Sequence, residues 1–409
     1  MTQTRTALVI GGGIAGPASA MALQKAGIDA VVYEAHSTGA DGIGVFLTLG
    51  SNGVDALRVL GADKPAVAAG FPTPAITLRS GTGKRLGESR TGQSLSDGTT
   101  SQTIKRADLY RVLHDQALAR GIRVEHGKRL VAAENTGAGV RAVFADGSEA
   151  VGDVLIGCDG VHSTVRRIID PAAPAPTYAG LITTGGYARG VRVNTEPGGY
   201  EMIFGKRGFF GHAMAPTGEV WWFANVPHRG EPARGEVEAI SGDEWRPQLI
   251  QLYAEDAGPA IPLIQATPEM MAMSPIHSIP HLPAWHNGRM IVIGDAAHAP
   301  SPTSGQGASL SIEDAVVLAK SLRDQPSPQA AFARFEAARR PRVERIIKWA
   351  ARINNSKAAG PVARVFRDAM LPTILTMTAD SKANRQTYDH HIDWDAPVTS
   401  TERSVTTRT

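Results

Sequence analysis

A glycine-rich turn near the N-terminus has the residue types and spacing that bind a nucleotide. Gly11, Gly13 and Gly16 form the pattern G-x-G-x-x-G directly after the apolar run 7–10, which predicts a buried parallel strand leading into a helix. The first glycine permits a tight turn, the second lets the backbone approach a pyrophosphate, and the third allows the helix to pack closely on the strand. Because the first N–H groups of such a helix point at the phosphates, the turn predicts a dinucleotide site.

A carboxylate follows the second predicted strand. Glu34 comes directly after the run 30–33. An acid at this position accepts hydrogen bonds from ribose hydroxyls and repels a 2′-phosphate. It therefore favours FAD or NAD over NADP as the bound dinucleotide, without choosing between the first two.

A second glycine-containing segment, near residue 300, supplies the other half of the site. Gly294-Asp295 ends the apolar run 289–295 and is followed by Pro302 and then by 305–307, which reads Gly-Gln-Gly. Backbone without side chains at the beginning of a helix presents N–H donors and the positive end of the helix dipole, which favour an anion. Reduced flavin carries negative charge around N1 and the C2 carbonyl oxygen, so this segment suits it. An ordinary turn is the alternative for either glycine alone, and also for Asp295.

The elements that must position these motifs predict an α/β fold. We expect a discontinuous, Rossmann-like FAD-binding domain, a mainly antiparallel β-sheet substrate domain, because strands follow one another without helices from 178 to about 227, and a C-terminal helical segment. Pro341 is expected to break or kink that segment. The predicted boundaries are 1–75, 98–177 and 282–345 for the FAD-binding domain, 76–97 and 178–281 for the substrate domain, 346–394 for the C-terminal helices, and 395–409 for a disordered tail.

Composition limits the class of protein. The 409 residues include 42 Lys and Arg against 39 Asp and Glu, with no dense basic run, so neither nucleic acid nor a membrane is an expected partner. The single cysteine, Cys158, excludes an internal disulfide and a cysteine-rich metal site, and its apolar setting suggests an inert thiol. No metal site is predicted, and we expect a cytoplasmic protein.

Three separated motifs together resemble the class A flavoprotein monooxygenases, the single-component, FAD-dependent group that includes salicylate-hydroxylase-like and urate-hydroxylase-like enzymes. The motifs are the glycine turn, the segment 158–166 (Cys-Asp-Gly-Val-His-Ser-Thr-Val-Arg), and Gly294-Asp295 with its glycine-rich continuation. The resemblance implies that Asp295 holds the ribityl chain of FAD, that Arg106 lies near the pyrophosphate, and that Val45 and Leu130 make mainly backbone contacts. The residues assigned to the cofactor are Gly11, Gly13, Ile14, Ala15, Gly16, Glu34, Val45, Arg106, Leu130, Asp159, Asp295, Pro302, Gly305, Gln306 and Gly307.

The same resemblance implies the reaction. NADH or NADPH reduces FAD transiently, and the reduced ring captures O₂ as a C4a-hydroperoxide that hydroxylates or epoxidises an aromatic or electron-rich small molecule. No second G-x-G-x-x-G in a strand-and-helix context is present, so the nicotinamide lacks a domain of its own. Asp159 and Arg166 would help to hold FAD and the nicotinamide, although an Asp–Arg pair bracing the loop is equally consistent. His298 either tunes the flavin or braces its loop.

Two other functions are alternatives to a monooxygenase. A flavin-dependent oxidase or dehydrogenase that inserts no oxygen is the nearest alternative, and a non-catalytic flavin-binding module is a more distant one. No catalytic residue is assigned.

A predicted hairpin carries the candidate substrate face. The runs 209–214 and 220–225 flank Pro216-Thr217-Gly218-Glu219, which is typical of a turn. If the turn has an even number of residues, His212 pairs with Phe223, and one face carries Phe210, His212, Trp221 and Phe223. That face would suit a ring-containing substrate, which the His212 imidazole could orient or deprotonate; a core-facing sheet explains the aromatic residues equally well. A turn with an odd number of residues would change the pairing.

Overall fold

The computed structural model describes residues 4–38, 44–301, 304–357, 361–378 and 381–398. The strands are β1 (Thr6–Ile10), β2 (Asp29–Tyr33), β3 (Phe46–Leu49), β4 (Gly70–Pro72), β5 (Ala75–Ser80), β6 (Arg85–Arg90), β7 (Gln102–Lys105), β8 (Arg123–Glu125), β9 (Leu130–Asn135), β10 (Val140–Phe144), β11 (Glu149–Gly152), β12 (Val154–Gly157), β13 (Thr177–Ala188), β14 (Tyr200–Phe204), β15 (Phe209–Met214), β16 (Val220–Pro227), β17 (Ser274–Ser278), β18 (His286–Asn287) and β19 (Met290–Val292).

Helices connect and cover these strands. They are α1 (Ala15–Lys25), α2 (Ser51–Val59), α3 (Asp63–Ala68), α4 (Arg106–Ala119), α5 (Thr164–Ile169), α6 (Gly242–Tyr253), α7 (Ala260–Ala266), α8 (Gly307–Asp324), α9 (Pro328–Lys357), α10 (Pro361–Thr378) and α11 (Lys382–Tyr388). A short 3₁₀ turn spans Gly294–Ala296.

A six-stranded sheet holds both nucleotide motifs. Its order is β18-β19-β12-β1-β2-β8, and β1 pairs in parallel with β2 and β12, while β12 pairs in parallel with β19. Its central strands are apolar on both faces because helices, including α1, pack over them, as parallel sheets require. The glycine turn, Asp159 and Gly294 consequently follow the carboxyl ends of three adjacent strands.

A seven-stranded sheet forms the second layer of strands, in the order β17-β13-β16-β15-β14-β5-β6. All of its neighbouring pairs are antiparallel except β14 with β5. Two smaller sheets have the orders β11-β10-β9 and β3-β7-β4. The α/β fold with a mainly antiparallel second sheet is thus confirmed.

Helix α9 differs from the sequence-based expectation at Pro341. The helix continues through this residue to Lys357, so the predicted break is wrong, and the alternative, a kink, stays a prediction. Ion pairs on both sides of the proline hold the helix, because Arg339 and Arg342 both bind the carboxylate of Glu313 in α8. A proline inside a helix costs roughly 3 kcal/mol, and these contacts hold α9 to α8 on both sides of it.

The described residues contain neither a membrane-crossing helix nor a metal-binding cluster. Within those ranges, no helix combines the length and the apolar character needed to cross a membrane. In the same part of the chain, no group of His, Cys, Asp and Glu side chains is arranged to hold a metal ion. Of the predicted disordered tail, only residues 395–398 lie within the described ranges.

Candidate active site

The glycine turn after β1 approaches its neighbours as closely as its sequence predicts. Gly11 has a φ of +104°, and a Cβ added there would lie 2.5 Å from the carbonyl oxygen of Cys158. A Cβ at Gly16 would lie 1.9 Å from the carbonyl oxygen of Gly11, so helix α1 could not pack here with any side chain. Around Gly13, by contrast, a Cβ would meet nothing within 4 Å. The turn therefore leaves open the position at which a pyrophosphate approaches the backbone.

Glu34 lies against this turn. Its Oε2 accepts a hydrogen bond from the N–H of Gly12 at 2.6 Å, and its Oε1 accepts one from the N–H of His36 at 2.8 Å. Each carboxylate oxygen has a further lone pair for another donor. The carboxylate is thus fixed beside the glycine turn, where a ribose hydroxyl could donate to it.

Asp295 lies on the 3₁₀ turn that follows β19. Gly294, with a φ of +56°, begins this turn and packs against Ala15, since a Cβ at Gly294 would lie 3.5 Å from that of Ala15. Burial raises the pKa of the Asp295 carboxyl, and the nearby positive charge of Arg106 opposes that rise. The Oδ1 atom of Asp295 lies 3.7 Å from the position of a Cβ on Gly307. A desolvated carboxylate between the two glycine-containing segments is well placed to accept a hydroxyl hydrogen bond.

Helix α8 begins beside this carboxylate. Gly305 has a φ of +60°, and a Cβ there would meet nothing within 4 Å. The side chain of Gln306 is buried, and its Oε1 accepts a hydrogen bond from Nδ2 of Asn52 at 2.9 Å. The first turn of α8 thus presents its N–H groups with little side-chain obstruction. Pro302 lies outside the described residues.

Three other predicted cofactor residues border the same region. Arg106 begins α4 and donates its backbone N–H to the carbonyl of Val45 at 3.1 Å. A Cβ on Gly44 would lie 3.0 Å from Cδ of Arg106, so the chain before β3 passes close to this side chain. Leu130 begins β9 with its side chain buried in the core, which leaves only its backbone for a cofactor.

Asp159 and Arg166 brace the loop before α5 through different partners. Asp159 accepts hydrogen bonds from Oγ of Ser163 at 2.5 Å and from the N–H of Thr164 at 2.7 Å. Arg166 donates to the carbonyl oxygen of Ala296 at 3.0 Å and so ties α5 to the turn that carries Asp295. Both residues hold the shape of the site, Asp159 through the loop and Arg166 through the Asp295 turn.

His298 also braces the Asp295 turn. Its Nε2 lies 2.5 Å from Oδ2 of Asp314, and the same oxygen accepts the backbone N–H of Gly294 at 2.9 Å. The contact of His298 with Asp314, which also binds Gly294, supports the alternative in which His298 braces its loop.

Sequence reasoning missed the charged cluster behind the site. Glu313 and Asp314, in the middle of α8, are fully buried and are bound by Arg339 and Arg342 of α9. Arg342 also donates to the carbonyl oxygens of Gln386 and Thr387, which joins the C-terminal segment to the cluster. Two adjacent acids within the otherwise apolar run of α8 are the one sequence signal that could have pointed to it.

The residues present fit FAD. Four features lie together at the carboxyl ends of β1, β2 and β19. They are the open backbone at Gly13 and at Gly305, the fixed carboxylate of Glu34, and the desolvated carboxylate of Asp295. In a sheet of this kind, ligands bind in the crevice at such ends. The class of protein that this fold and site define is a flavin-dependent enzyme.

Relatives identify the family. The profile of a family described as an FAD binding domain matches residues 4–350, and the chain belongs to this family. The aurachin C monooxygenase/isomerase of Stigmatella aurantiaca is 32% identical over 361 residues, which cover 85% of this chain and 88% of the relative. The FAD-dependent urate hydroxylase of Klebsiella pneumoniae is 32% identical over 352 residues, 83% of this chain and 87% of the relative.

A solved structure of a similar protein has the same fold as this chain. Klebsiella pneumoniae HpxO complexed with FAD and uric acid superimposes with a TM-score of 0.81 at 27% identity, covering 94% of this chain and 97% of that one. The predicted resemblance to class A flavoprotein monooxygenases is confirmed, and this chain is an FAD-dependent monooxygenase that acts on a small molecule.

The candidate substrate hairpin does not have the predicted register. Gly211, not His212, pairs with Phe223, and His212 pairs with Trp222. The reason is the turn: Ala215 and Glu219 still pair, so three residues form the loop, and Gly218 takes a φ of +83° at its end. A loop with an odd number of residues places Phe210 and His212 on one face of the sheet and Trp221 and Phe223 on the other, so the predicted shared face is wrong.

These two faces have different neighbours. The back face, which carries Phe210 and His212, packs on α6 and α7, with Nε1 of Trp222 donating to Oγ1 of Thr267 at 2.7 Å. The front face, which carries Trp221 and Phe223, packs on the chain around β3, where the ring centroid of Phe46 lies 5.8 Å from that of Phe223. Only the front face is turned toward the segment that borders Arg106.

Proposed function

We propose that NADH or NADPH reduces the FAD of this monooxygenase and that O₂ then supplies an oxygen atom to an aromatic or otherwise electron-rich small molecule. The observation that carries this proposal is the pairing of one dinucleotide turn, Gly11–Gly16, with a second helix start at Gly305–Gly307 that favours an anion. Bound FAD supplies the redox chemistry, and the chain supplies orientation, charge stabilisation and exclusion of water.

Individual residues have roles in this proposal. Glu34 accepts hydrogen bonds from a ribose, Arg106 neutralises the pyrophosphate, and Asp295 accepts from the ribityl chain. The N-terminus of α8, at Gly307, faces the negative charge of the reduced ring. Phe223, on the front face, contacts the substrate; Phe210 and His212 support the sheet from behind.

The nicotinamide has no nucleotide fold of its own in this proposal. The stray glycines at 185–186 lie inside strand β13, where a Cβ on Gly185 would lie 2.4 Å from Cγ2 of Val45. Gly185 allows close packing between the sheet and the chain before β3, and Gly186 allows it on the back face, where a Cβ would lie 2.5 Å from Cγ2 of Thr267. Neither glycine belongs to a phosphate turn. A reductant that binds transiently to the flavin site is consistent with this arrangement.

The same proposal includes the domain division with the boundaries given above. It consists of a discontinuous FAD-binding domain, a substrate domain and C-terminal helices. It is supported by separate apolar clusters beneath the six-stranded sheet and on the two faces of the seven-stranded sheet. A cytoplasmic location is also proposed, and it is supported by the single, buried thiol of Cys158.

The test is substrate-stimulated oxidation of NADH and NADPH by the purified, FAD-loaded protein, with hydrogen peroxide measured in parallel. We expect stimulation by phenols or related ring compounds, with less peroxide formed than NAD(P)H consumed. Peroxide equal to the NAD(P)H consumed, with no oxygenated product, would assign the protein to the flavin oxidases. Flavin that no reduced nicotinamide can reduce would contradict both activities.

A further inference from the structure

The front face of the seven-stranded sheet ends in a cluster of charged residues. Tyr187 and Trp221 are directly opposed on β13 and β16, and Arg189 and Glu219 lie two residues beyond them along the chain. Because the side chains of a strand alternate between its faces, this second pair continues the front face past the last paired row. Lys105, at the end of β7, reaches the same place, with its Nζ 4.1 Å from the ring centroid of Tyr187. Three elements of the fold therefore meet at this cluster.

One carboxylate holds both cations of the cluster. Oε2 of Glu219 lies 2.6 Å from Nζ of Lys105, and Oε1 of Glu219 lies 3.1 Å from Nε of Arg189. The indole Nε1 of Trp221 also donates to Oε2 at 2.8 Å. Burial alone would raise the pKa of Glu219, but the hydrogen bonds from Lys105 and Trp221 hold that pKa below its ordinary value. Glu219 is therefore ionised, and its single negative charge leaves the cluster with one positive charge in excess.

The guanidinium of Arg189 is held at one edge and open at the other. Its side chain is 81% exposed, although its Nε is fixed by Glu219. In the part of the chain that the structure describes, no hydrogen bond or ion pair engages its two Nη groups. A guanidinium presents its donors in a planar fork that matches the oxygen atoms of a phosphate. Arg189 is thus an oriented cation whose remaining donors face solvent.

The cluster lies next to the flavin site. The carbonyl oxygen of Val45 accepts the hydroxyl of Tyr187 at 2.8 Å and the backbone N–H of Arg106 at 3.1 Å. Tyr187 carries the ammonium group of Lys105 over its ring, and Arg106 directly follows Lys105 in the chain. A ligand on the cluster would therefore lie beside the backbone of Val45, which is predicted to contact FAD.

The reducing nucleotide is the anion that the proposed function brings to this place. NADH and NADPH both carry a pyrophosphate, and the one G-x-G-x-x-G turn between a strand and a helix is assigned to FAD. Arg166, which the family resemblance implies for the nicotinamide, is 2% exposed and donates from its two Nη groups to the carbonyl oxygens of Ala296 and Val161. Because these donors are occupied, the phosphates of the nucleotide need other cations.

Distance distinguishes this occupant from an anionic substrate. Phe223, which is proposed to contact the substrate, lies on β16, and Glu219 directly precedes that strand. Their separation along the chain is roughly 13 Å, at about 3.3 Å per residue of extended strand. A one-ring carboxylate packed on Phe223 is too short to reach Arg189, whereas a dinucleotide is long enough. The cluster therefore suits the nucleotide better than the substrate.

We propose that Lys105 and Arg189 bind the phosphate groups of the reducing nucleotide, NADH or NADPH, and so hold its nicotinamide beside the flavin. This inference rests on the proposed function and assigns a site to its reductant. Glu219 is a positioning residue in this site, because it orients both cations without contacting the ligand. The excess of positive charge also attracts the nucleotide before contact, an effect that salt screens.

The first experiment measures how tightly the FAD-loaded protein binds NADH and NADPH. Without oxygen and at low ionic strength, the dissociation constant follows from the dependence of flavin reduction on nucleotide concentration. Arg189→Gln should raise this constant at least about tenfold, because a charge-assisted phosphate contact is lost, with the effect on binding and not on the limiting rate of reduction. Arg207→Gln, the matched control, removes an exposed arginine at the opposite end of the sheet and should behave as wild type. An unchanged dissociation constant in Arg189→Gln would overturn the inference.

The second experiment separates the reductant from the other anions of the site. Calorimetric titration of the FAD-loaded protein with NADP⁺ requires no flavin reduction, and Arg189→Gln should weaken this binding at least about tenfold as well. If neither NADH nor NADPH reduces the flavin of the wild type, the proposed function fails, while this titration still decides the inference. Wild-type protein that does not bind NADP⁺ would contradict it.

Two further results would assign the cluster to a different ligand. Weaker FAD binding by Arg189→Gln would show that the cluster serves the cofactor. A raised KM for a ring carboxylate such as hydroxynaphthoate, with unchanged affinity for the nucleotides, would show that it serves the substrate. Either result would overturn the inference, whereas unchanged FAD affinity together with weakened NADPH and NADP⁺ binding supports it.

Discussion

Replacing His212 should change how stability depends on pH and should leave oxygenation coupled to NAD(P)H use. The His212 side chain is fully buried on the back face, where its Nε2 lies 2.9 Å from Oγ1 of Thr195. Burial lowers its pKa from 6.5 to about 4; the opposing effect of Glu201 is smaller, and Arg79 adds to the lowering. The imidazole is therefore neutral in the folded protein at neutral pH.

The direction of the effect follows from linkage. An unfolded chain takes up a proton on this histidine near pH 6.5, whereas the folded chain resists it until about pH 4. As the pH falls through this range, the unfolded state gains protons first and is favoured. The difference between the two pKa values corresponds to about 3 kcal/mol of unfolding free energy. About 2 kcal/mol of this stability is lost as the pH falls from about 7.5 to about 5.

The assay is urea unfolding of the FAD-saturated protein at those two pH values. The loss of unfolding free energy on acidification should be about 2 kcal/mol smaller in His212→Gln than in wild type. The control is His36→Gln, which removes an exposed histidine and should follow wild type. Identical pH dependence in wild type and His212→Gln would refute the reasoning, and a large rise in peroxide per NAD(P)H would return His212 to the substrate site.

Three further predictions concern the flavin site and its support. Asp295→Ala should weaken FAD binding by about ten- to a hundredfold, because it removes a charge-assisted hydrogen bond worth roughly 1.5–3 kcal/mol. Titration of the protein with flavin measures the affinity, and an unchanged affinity would contradict the role of Asp295. Arg342→Ala should lower the unfolding free energy by about 3–5 kcal/mol, because Glu313 stays buried with fewer partners, whereas the exposed Arg345→Ala should cost less than about 1 kcal/mol. The thiol of Cys158, whose pKa burial raises, should react with a thiol reagent only after unfolding, and rapid labelling of the native protein would show that its surroundings open.

The nucleotide motifs could be predicted because their function is local in sequence. Gly11, Gly13 and Gly16 act through the backbone of one turn, and Glu34 follows the next strand of the same sheet. Asp295 is a candidate because its glycine neighbours keep a fixed spacing along the chain. The cofactor role of these residues stays a prediction, whereas the predicted face of the opposite sheet is wrong.

The hairpin register could not be read from composition. Pro216, Thr217 and Gly218 fit loops of several lengths, and one residue more or less exchanges the two faces of β15 and β16. The buried cluster was missed for a different reason. Glu313 receives its partners from the distant helix α2 and from the next helix, α9. Contacts between separate elements leave no periodic pattern in the sequence.

The most direct test of the central claim is the fate of isotopically labelled O₂. The FAD-loaded protein should be incubated under ¹⁸O₂ with NADH or NADPH and with the ring compound that most stimulates their oxidation. The product is then analysed by mass spectrometry. A monooxygenase incorporates one labelled oxygen atom into each product molecule and reduces the other to water. An oxidised product without label, accompanied by labelled hydrogen peroxide, would contradict the account.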